Sequence, residues 1–338
     1  MWTEEKLDAL LASPSPYLIE DIAKIKGDII ILGAGGKMGP TLCYLAKNAC
    51  EAAGVNKRII AVSRYSDPIA RDLIERNGIE TISCDMLADG AMESLPDVPN
   101  VIYMAGRKFG TKNEEYLTWA MNARLSSLVA ERYKNSRISV FSSGNIYPFV
   151  SLKQGGCTEE TPVSPVGEYA MSCLARERMF EYAARVHNTP VFMYRLNYAI
   201  DLRYGVLHDL VSKIMKGEAI GLDTPVFNCI WQKDANEIAI RSLLHGQAPP
   251  QIVNVTGPET VSVRYAAQEL AKALSKSVSF SGCEQDNALL SNSDKCISLF
   301  GYPTVGIKDM IKMQAEWILD GGRALNKPTH FEERKGNF

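Results

Sequence analysis

Short apolar runs bounded by turn-forming residues recur along the first two thirds of the chain, and amphipathic stretches separate them. The runs at 28–33, 58–63, 79–84, 100–105 and 137–142 read as strands, and further strands fit Val191 to Leu196 and Gln251 to Val255. The unbroken Ile29 to Leu32 suits a strand buried on both faces. Helical spacing appears at Thr41 to Ala49, about 113–134, about 166–187, Leu207 to Lys216, Asp234 to Leu244, Arg264 to Leu274 and Ile307 to Leu319. Strand and helix alternate, which predicts an α/β fold: a doubly wound parallel sheet covered on both faces. Ser15-Pro16 reads as an N-cap followed by proline, so Tyr17 to Ile25 is expected to form one short helix ended by Gly27. Residues before Asp28 are read as an appendage without chemistry of their own. The polar tail from Gly321 to Phe338 is expected to fray or to wrap the surface.

The first strand ends in Gly33-Ala-Gly-Gly-Lys-Met-Gly39, just ahead of a helix. Glycine lets backbone approach a ligand and lets the following helix pack closely on the strand. Free N–H groups at such a helix start suit a pyrophosphate. This marks Gly33, Gly36, Lys37, Met38 and Gly39 as dinucleotide-binding candidates. A tight turn without a ligand is the simpler alternative, and the second strand arriving at βαβ distance argues against it.

In such sheets a ligand lies beyond the carboxyl ends of the strands. The second strand ends Val62-Ser63-Arg64, without the acidic residue that would accept from a ribose 2′-hydroxyl. Ser63 and Arg64 suit a 2′-phosphate, which favours NADP over NAD, unless Arg64 merely points into solvent. Asp85 and Met86, after the third strand, suit the adenine. Ala105 and Gly106, after the fourth, are small enough to lie beside the cofactor.

The chain has 338 residues, enough for one large α/β unit or two close-packed domains, and a net charge of −2. No basic run points to nucleic acid or to an anionic membrane, and no apolar segment is long enough to span a bilayer. The charged N-terminus lacks the apolar centre of a signal peptide. Eight scattered cysteines form no C-x-x-C pair and four histidines form no ligand pattern. That predicts reduced thiols in cytoplasm and no metal site.

The fifth strand runs into Ser142-Ser143-Gly-Asn145, and Tyr169 opens a helical stretch that continues through Cys173 to Glu177. With the glycine turn, Asp85, Met121-Asn122-Ala123, Asp234, Val253-Asn254 through Gly257, and Asp294-Lys295, these pieces resemble the extended short-chain dehydrogenase/reductase family, the NAD(P)-dependent sugar epimerases and dehydratases. The resemblance spans Asp28 to about Leu319 and implies a Rossmann sheet with a smaller, discontinuous C-terminal α/β substrate domain. The expected division is an N-terminal segment 1–27, a dinucleotide domain of 28–198 plus about 228–258, a substrate domain of about 199–227 plus 259–325, and a tail 326–338. It further implies that Ser143 hydrogen-bonds the substrate oxygen, that Tyr169 exchanges a proton with it, that Asn122 orders the site, and that two long helices pair subunits into a homodimer.

One departure from that pattern matters. The family's lysine one helical turn after the tyrosine, which lowers the phenol pKa from its ordinary ~10, is Cys173 here. A neutral thiol supplies no charge. Arg176, Arg107 or Lys108 could substitute; a reductase could use the neutral phenol as an acid; or the chain could bind a dinucleotide while catalysing little. As a nucleophile Cys173 is less expected than as packing. The stretches Pro225 to Trp231 and Ser279 to Asp286 lack the arginines with which the family holds a nucleotide-sugar pyrophosphate. The expected substrate is therefore a smaller sugar, sugar acid or related carbonyl compound, with a nucleotide sugar kept as the alternative that the resemblance implies, and Arg107, Asn145, Arg195, Asn197 and Arg203 are candidate contacts. Arg195 reads equally as a structural ion-pair residue.

Overall fold

A computed structural model of the chain describes residues 1–338 except Asp67, Thr111 and Phe338. Seven strands form one parallel sheet: β1 (Ile29–Leu32), β2 (Ile59–Ser63), β3 (Glu80–Ser83), β4 (Asn100–Tyr103), β5 (Arg137–Ser143), β6 (Val191–Leu196) and β7 (Gln251–Val255). Their spatial order is β7-β6-β5-β4-β1-β2-β3. Each lies within two residues of the apolar run that predicts it. Strand order reverses between β1 and β4, which pair with Ile29 opposite Asn100 and Leu32 opposite Tyr103. A crevice opens at that switch point.

Helices cover both faces. On one side lie α2 (Pro16–Lys24), α3 (Gly39–Ala52) and α8 (Gln232–Arg241), whose apolar residues join Ile29, Ile31, Ala61 and Phe192 in one buried cluster. The other side carries α5 and α6. The first is the composite of Glu115–Trp119, a π turn over Ala120–Arg124, and Leu125–Arg132; α6 is Gly167–His187. Leu125, Val129, Phe180 and Ala184 from these helices meet Ile30, Leu32 and Val101. The helix α4 (Pro68–Glu75) links β2 to β3.

A second cluster is built around α7 (Val206–Lys216), α9 (Val263–Ala273) and α10 (Ile307–Leu319). Here the N-terminal segment departs from the expected single helix. It forms two, α1 (Glu4–Leu11) and α2, and α1 buries Leu7 and Leu11 in this second cluster. Arg203 holds it there: its guanidinium donates to Asp8 Oδ1 at 2.8 Å and to Asp201 Oδ2 at 2.7 Å, and it also reaches Glu4. Arg203 is thus spent on packing α1 and does not face a ligand. Ser15 caps α2 through Leu18 N, as its sequence predicts.

The C-terminal tail wraps the molecule. Phe331 packs against Phe227, Glu332 pairs with Lys213, Arg334 lies over the Phe149 ring, and Gly336 abuts Gly167. No described helix is long and apolar enough to cross a membrane.

Candidate active site

The β1–α3 turn is shaped by close backbone approach. Gly33 has φ +97°, and a Cβ there would lie 2.5 Å from Ala105 N; one on Gly39 would lie 2.2 Å from Ala34 O. Gly35, outside the three-residue glycine spacing, is also close-packed, since its Cβ would meet the Ser63 side chain, with Oγ at 2.5 Å. No side chain caps α3, and among the described residues the N–H groups of Lys37 and Met38 meet no protein acceptor. An uncapped helix start behind a glycine turn fits a pyrophosphate.

The crevice beside this turn has a volume of about 200 Å³. Gly33, Gly35, Gly36, Ser63, Arg64, Asp85, Met86, Ala105 and Gly106 line it, together with Ser66, Met104 and Met121. Eight of the predicted cofactor residues are therefore brought together. Lys37, Met38 and Gly39 lie beyond its lining: Met38 and Gly39 are buried under the turn, and the Lys37 side chain reaches the other end of the site. Arg64 is exposed and makes no ion pair among the described residues.

At the carboxyl end of β5, the Ser143 hydroxyl accepts from Asn145 N at 3.1 Å and hydrogen-bonds the Tyr169 phenol from the first turn of α6. Burial raises the phenol pKa, and neighbouring Cys173 raises it further; Arg176 and the Ser143 bond act the other way. Cys173 is fully buried among Ile146, Tyr147, Cys157 and Tyr169, and burial likewise pushes its thiol up.

Asn122 lies in the π turn of α5, a distortion that often accompanies functional sites. Its Oδ1 accepts from Arg107 N and from Arg176 Nη2, each at 2.8 Å, and its Nδ2 donates to Arg107 O and Ser172 Oγ, each at 2.9 Å. One amide thus fixes the loop after β4 and the face of α6. Arg176 also donates to Phe141 O at 2.6 Å and lies directly behind Gly106.

The loop after β4 then brings two lysines together. Lys108 Nζ lies 5.7 Å from the Tyr169 ring centroid and 5.4 Å from that of Phe109, while Lys37 Nζ lies 4.8 Å from the Phe109 centroid and 4.7 Å from that of Tyr204. Burial brings each ammonium down to about 8. The tail closes over them. Lys37 donates to Lys327 O and Lys108 to Thr329 O, both at 3.1 Å, and His330 rests against Phe109. Nothing in the local sequence of the tail signalled this beyond the His330-Phe331 pair in a polar stretch.

Three predicted substrate contacts are engaged elsewhere. Arg195 makes a buried forked pair with Glu177, 2.9 and 2.7 Å, and donates to Tyr147 Oη at 2.6 Å. Glu177 also accepts from Ser142 at 2.6 Å, so this network braces β5 against β6 and α6. Asn197 Nδ2 donates to Asn228 Oδ1 at 2.6 Å, and Asn228 in turn to Ser291 O at 2.5 Å. The Arg107 guanidinium turns back to Gly110 O and Glu114 within its own loop. Asn145 remains half-buried beside Ser143. Among the described residues no group of three His, Cys, Asp or Glu could hold a metal.

A parallel sheet with a glycine turn at its switch point defines the doubly wound class, in which ligands lie beyond the carboxyl ends of the strands. Residues 29–255 match the model of the NAD dependent epimerase/dehydratase family, and the chain belongs to that family. It is similar to the solved structures of dTDP-glucose 4,6-dehydratase from Bacillus anthracis with NAD (TM-score 0.74, 15% identity, 87% of this chain and 97% of that one) and of UDP-glucuronic acid 4-epimerase from Bacillus cereus with NAD (TM-score 0.71, 17% identity, 87% and 99%). UDP-glucose 4-epimerase from Thermotoga maritima with UDP-glucose is alike (TM-score 0.71, 17% identity, 87% and 99%). No curated protein matches the chain in sequence.

Proposed function

We propose that this enzyme epimerises, dehydrates or reduces a small sugar or sugar acid by hydride transfer, with Tyr169 as the proton-exchanging group. The observation that carries the reading is the Tyr169–Ser143 hydrogen bond with the Arg176 guanidinium beside it. The nicotinamide, when bound, supplies the acceptor or donor of the hydride. Ser143 would hold the reacting oxygen of the sugar, and Tyr169 would take its proton as the carbonyl forms, or return one as the carbonyl is reduced. Arg176 would supply the positive charge that the family pattern places at 173. It comes from the same helix two turns after Tyr169, and Asn122 and Phe141 O fix it in place. Asn122 is a positioning residue, since it acts through Arg107 and Arg176.

The crevice residues support a dinucleotide with its adenine toward Asp85 and Met86. Arg64 and Ser63, with no acid at the end of β2, favour NADP over NAD. Exposed Tyr116, Met171, Tyr182 and Val186 on α5 and α6 support a homodimer through those helices.

A second reading has one specific observation behind it. The buried Cys173 raises the phenol pKa where a lysine would lower it, which suits a catalytically weakened cofactor-binding protein. Fluorescence titration with NADPH and NADH, then turnover on a sugar panel, separates the two. Wild-type turnover that Tyr169→Phe abolishes supports the enzyme. Turnover present only in Cys173→Lys supports the weakened binder. Failure to bind either nucleotide sinks both.

A further inference from the structure

We infer that the ammonium groups of Lys37 and Lys108 form the anion-binding subsite for the substrate, which is accordingly a small sugar carrying a carboxylate or a phosphate. This rests on the proposed reading and names its substrate class. The two lysines come from segments far apart in sequence, the β1–α3 turn and the loop after β4, yet both flank the Phe109 ring. Lys108 also lies over the Tyr169 ring, so the pair adjoins the group proposed to exchange the proton. Two cations drawn out of water beside one another repel, and such an arrangement is stabilised by an anion placed between them. Lys37 has no carboxylate within ion-pair distance among the described residues; it donates to the Lys327 carbonyl instead.

Asp209 is the acid whose field reaches both lysines. Its Oδ2 is already engaged by Thr329 N and Thr329 Oγ1, at 2.8 and 2.6 Å. Backbone carbonyls of the tail therefore occupy acceptor positions that anionic oxygens would fill with greater energy, because a hydrogen bond from an ammonium is stronger when the acceptor is charged. Thr329 ties the tail to Asp209, so the same strap that covers the lysines can close over a ligand held by them. A nucleoside diphosphate fits this less well. Its pyrophosphate calls for forked arginine contacts, and 225–231 and 279–286 contain neither lysine nor arginine.

The test is calorimetry on the full chain saturated with NADH or NADPH, using D-glucuronate, D-glucose 6-phosphate, D-glucose and UDP-glucuronate as probes. One of the two anionic monosaccharides is expected to bind at least tenfold more tightly than D-glucose, and which one does so assigns the anion as carboxylate or phosphate. Lys37→Met is expected to remove that preference and Lys37→Arg to restore it, with Lys108→Met acting in the same direction. Thermal melts check that the variants fold, and fluorescence titration of the nucleotide in the same samples separates a damaged cofactor site from a lost anion site. No preference for either anionic monosaccharide over D-glucose, tightest binding by UDP-glucuronate, or a preference that survives Lys37→Met would overturn the inference, with the proposed hydride-transfer chemistry at Tyr169 untouched. Loss of nucleotide binding in wild type would instead overturn the reading beneath it.

Discussion

The glycine end of the crevice and the phenol end are assembled in different ways. At the glycine end, contacts run between the β1 turn and the ends of β2 and β4; those to β4 are backbone distances, such as 2.5 Å from a Gly33 Cβ to Ala105 N, and the one to β2 is to the Ser63 hydroxyl. Sheet pairing sets the backbone distances. At the phenol end, Ser143, Tyr169, Asn122, Arg176, Lys108, Lys37 and Thr329 arrive from six segments and meet through side chains. The first end is rigid because the sheet is rigid. The second depends on each side chain holding the next, with Asn122 the residue on which most of the bonds converge. A substitution at the glycine end should therefore act on folding and nucleotide affinity together, and one at the phenol end on chemistry alone.

The sharpest way to break this contrast is Tyr169→Phe. It is expected to lower turnover about 10²–10⁴-fold while nucleotide affinity, read by fluorescence, stays within a factor of a few. Equal losses in both would show that the two ends are not separable.

Next in size is Glu177→Gln, which leaves the buried Arg195 guanidinium without its counter-charge. The expected loss is about 3–5 kcal/mol of stability in denaturant unfolding. An unchanged midpoint with a raised KM would return Arg195 to the substrate site.

Gly33→Ala should cost about 1–3 kcal/mol, through strain at φ +97° and overlap with Ala105, with weaker nucleotide binding alongside. A stable variant that binds nucleotide normally would show the turn to be more compliant than its geometry indicates.

A pH series sharpens the comparison further. Lys37 and Lys108 are held at about 8, below the unperturbed lysine value. Affinity for an anionic sugar should fall as pH rises through 8 and the ammoniums lose their protons. Stability should move the other way. Between about 8 and the ordinary ~10.4 the unfolded chain binds more protons than the folded one, so raising pH in that window favours the folded state. Asp209 and Cys173, both raised by burial, the Tyr169 and Tyr204 phenols, and His330 on Phe109 are other titratable groups facing the pair.

The smallest effect expected is from Arg64→Ala, about a tenfold loss of affinity for NADPH relative to NADH, the size of one charge-assisted hydrogen bond. No change in that ratio would place Arg64 in solvent.

How much of this was legible in the sequence follows from the range of each interaction. The strands were readable because a strand in a parallel sheet is buried on both faces and appears as an apolar run. The α2 cap was readable because Ser15, Pro16 and Leu18 N are local to one another. Helix α1 was not, since its eight residues are held by Arg203, nearly two hundred positions away. Arg195 could be read either as a ligand contact or as a structural ion, and its register with Glu177 on α6 decided between them. The glycine spacing singled out Gly33 and Gly39 but passed over Gly35, whose constraint is the Ser63 hydroxyl on the neighbouring strand.

The amino-acid order by itself determined the layered α/β fold, the glycine turn at its switch point, the serine at the end of β5 and the tyrosine opening α6, because periodicity and backbone conformation are local properties of a chain. The tertiary structure alone decided which cations lie beside Tyr169, which arginines are consumed by buried ion pairs, and that residues 327–330 fold back over two lysines. Those outcomes depend on which side chains share a volume from which water is excluded, and no local pattern encodes that.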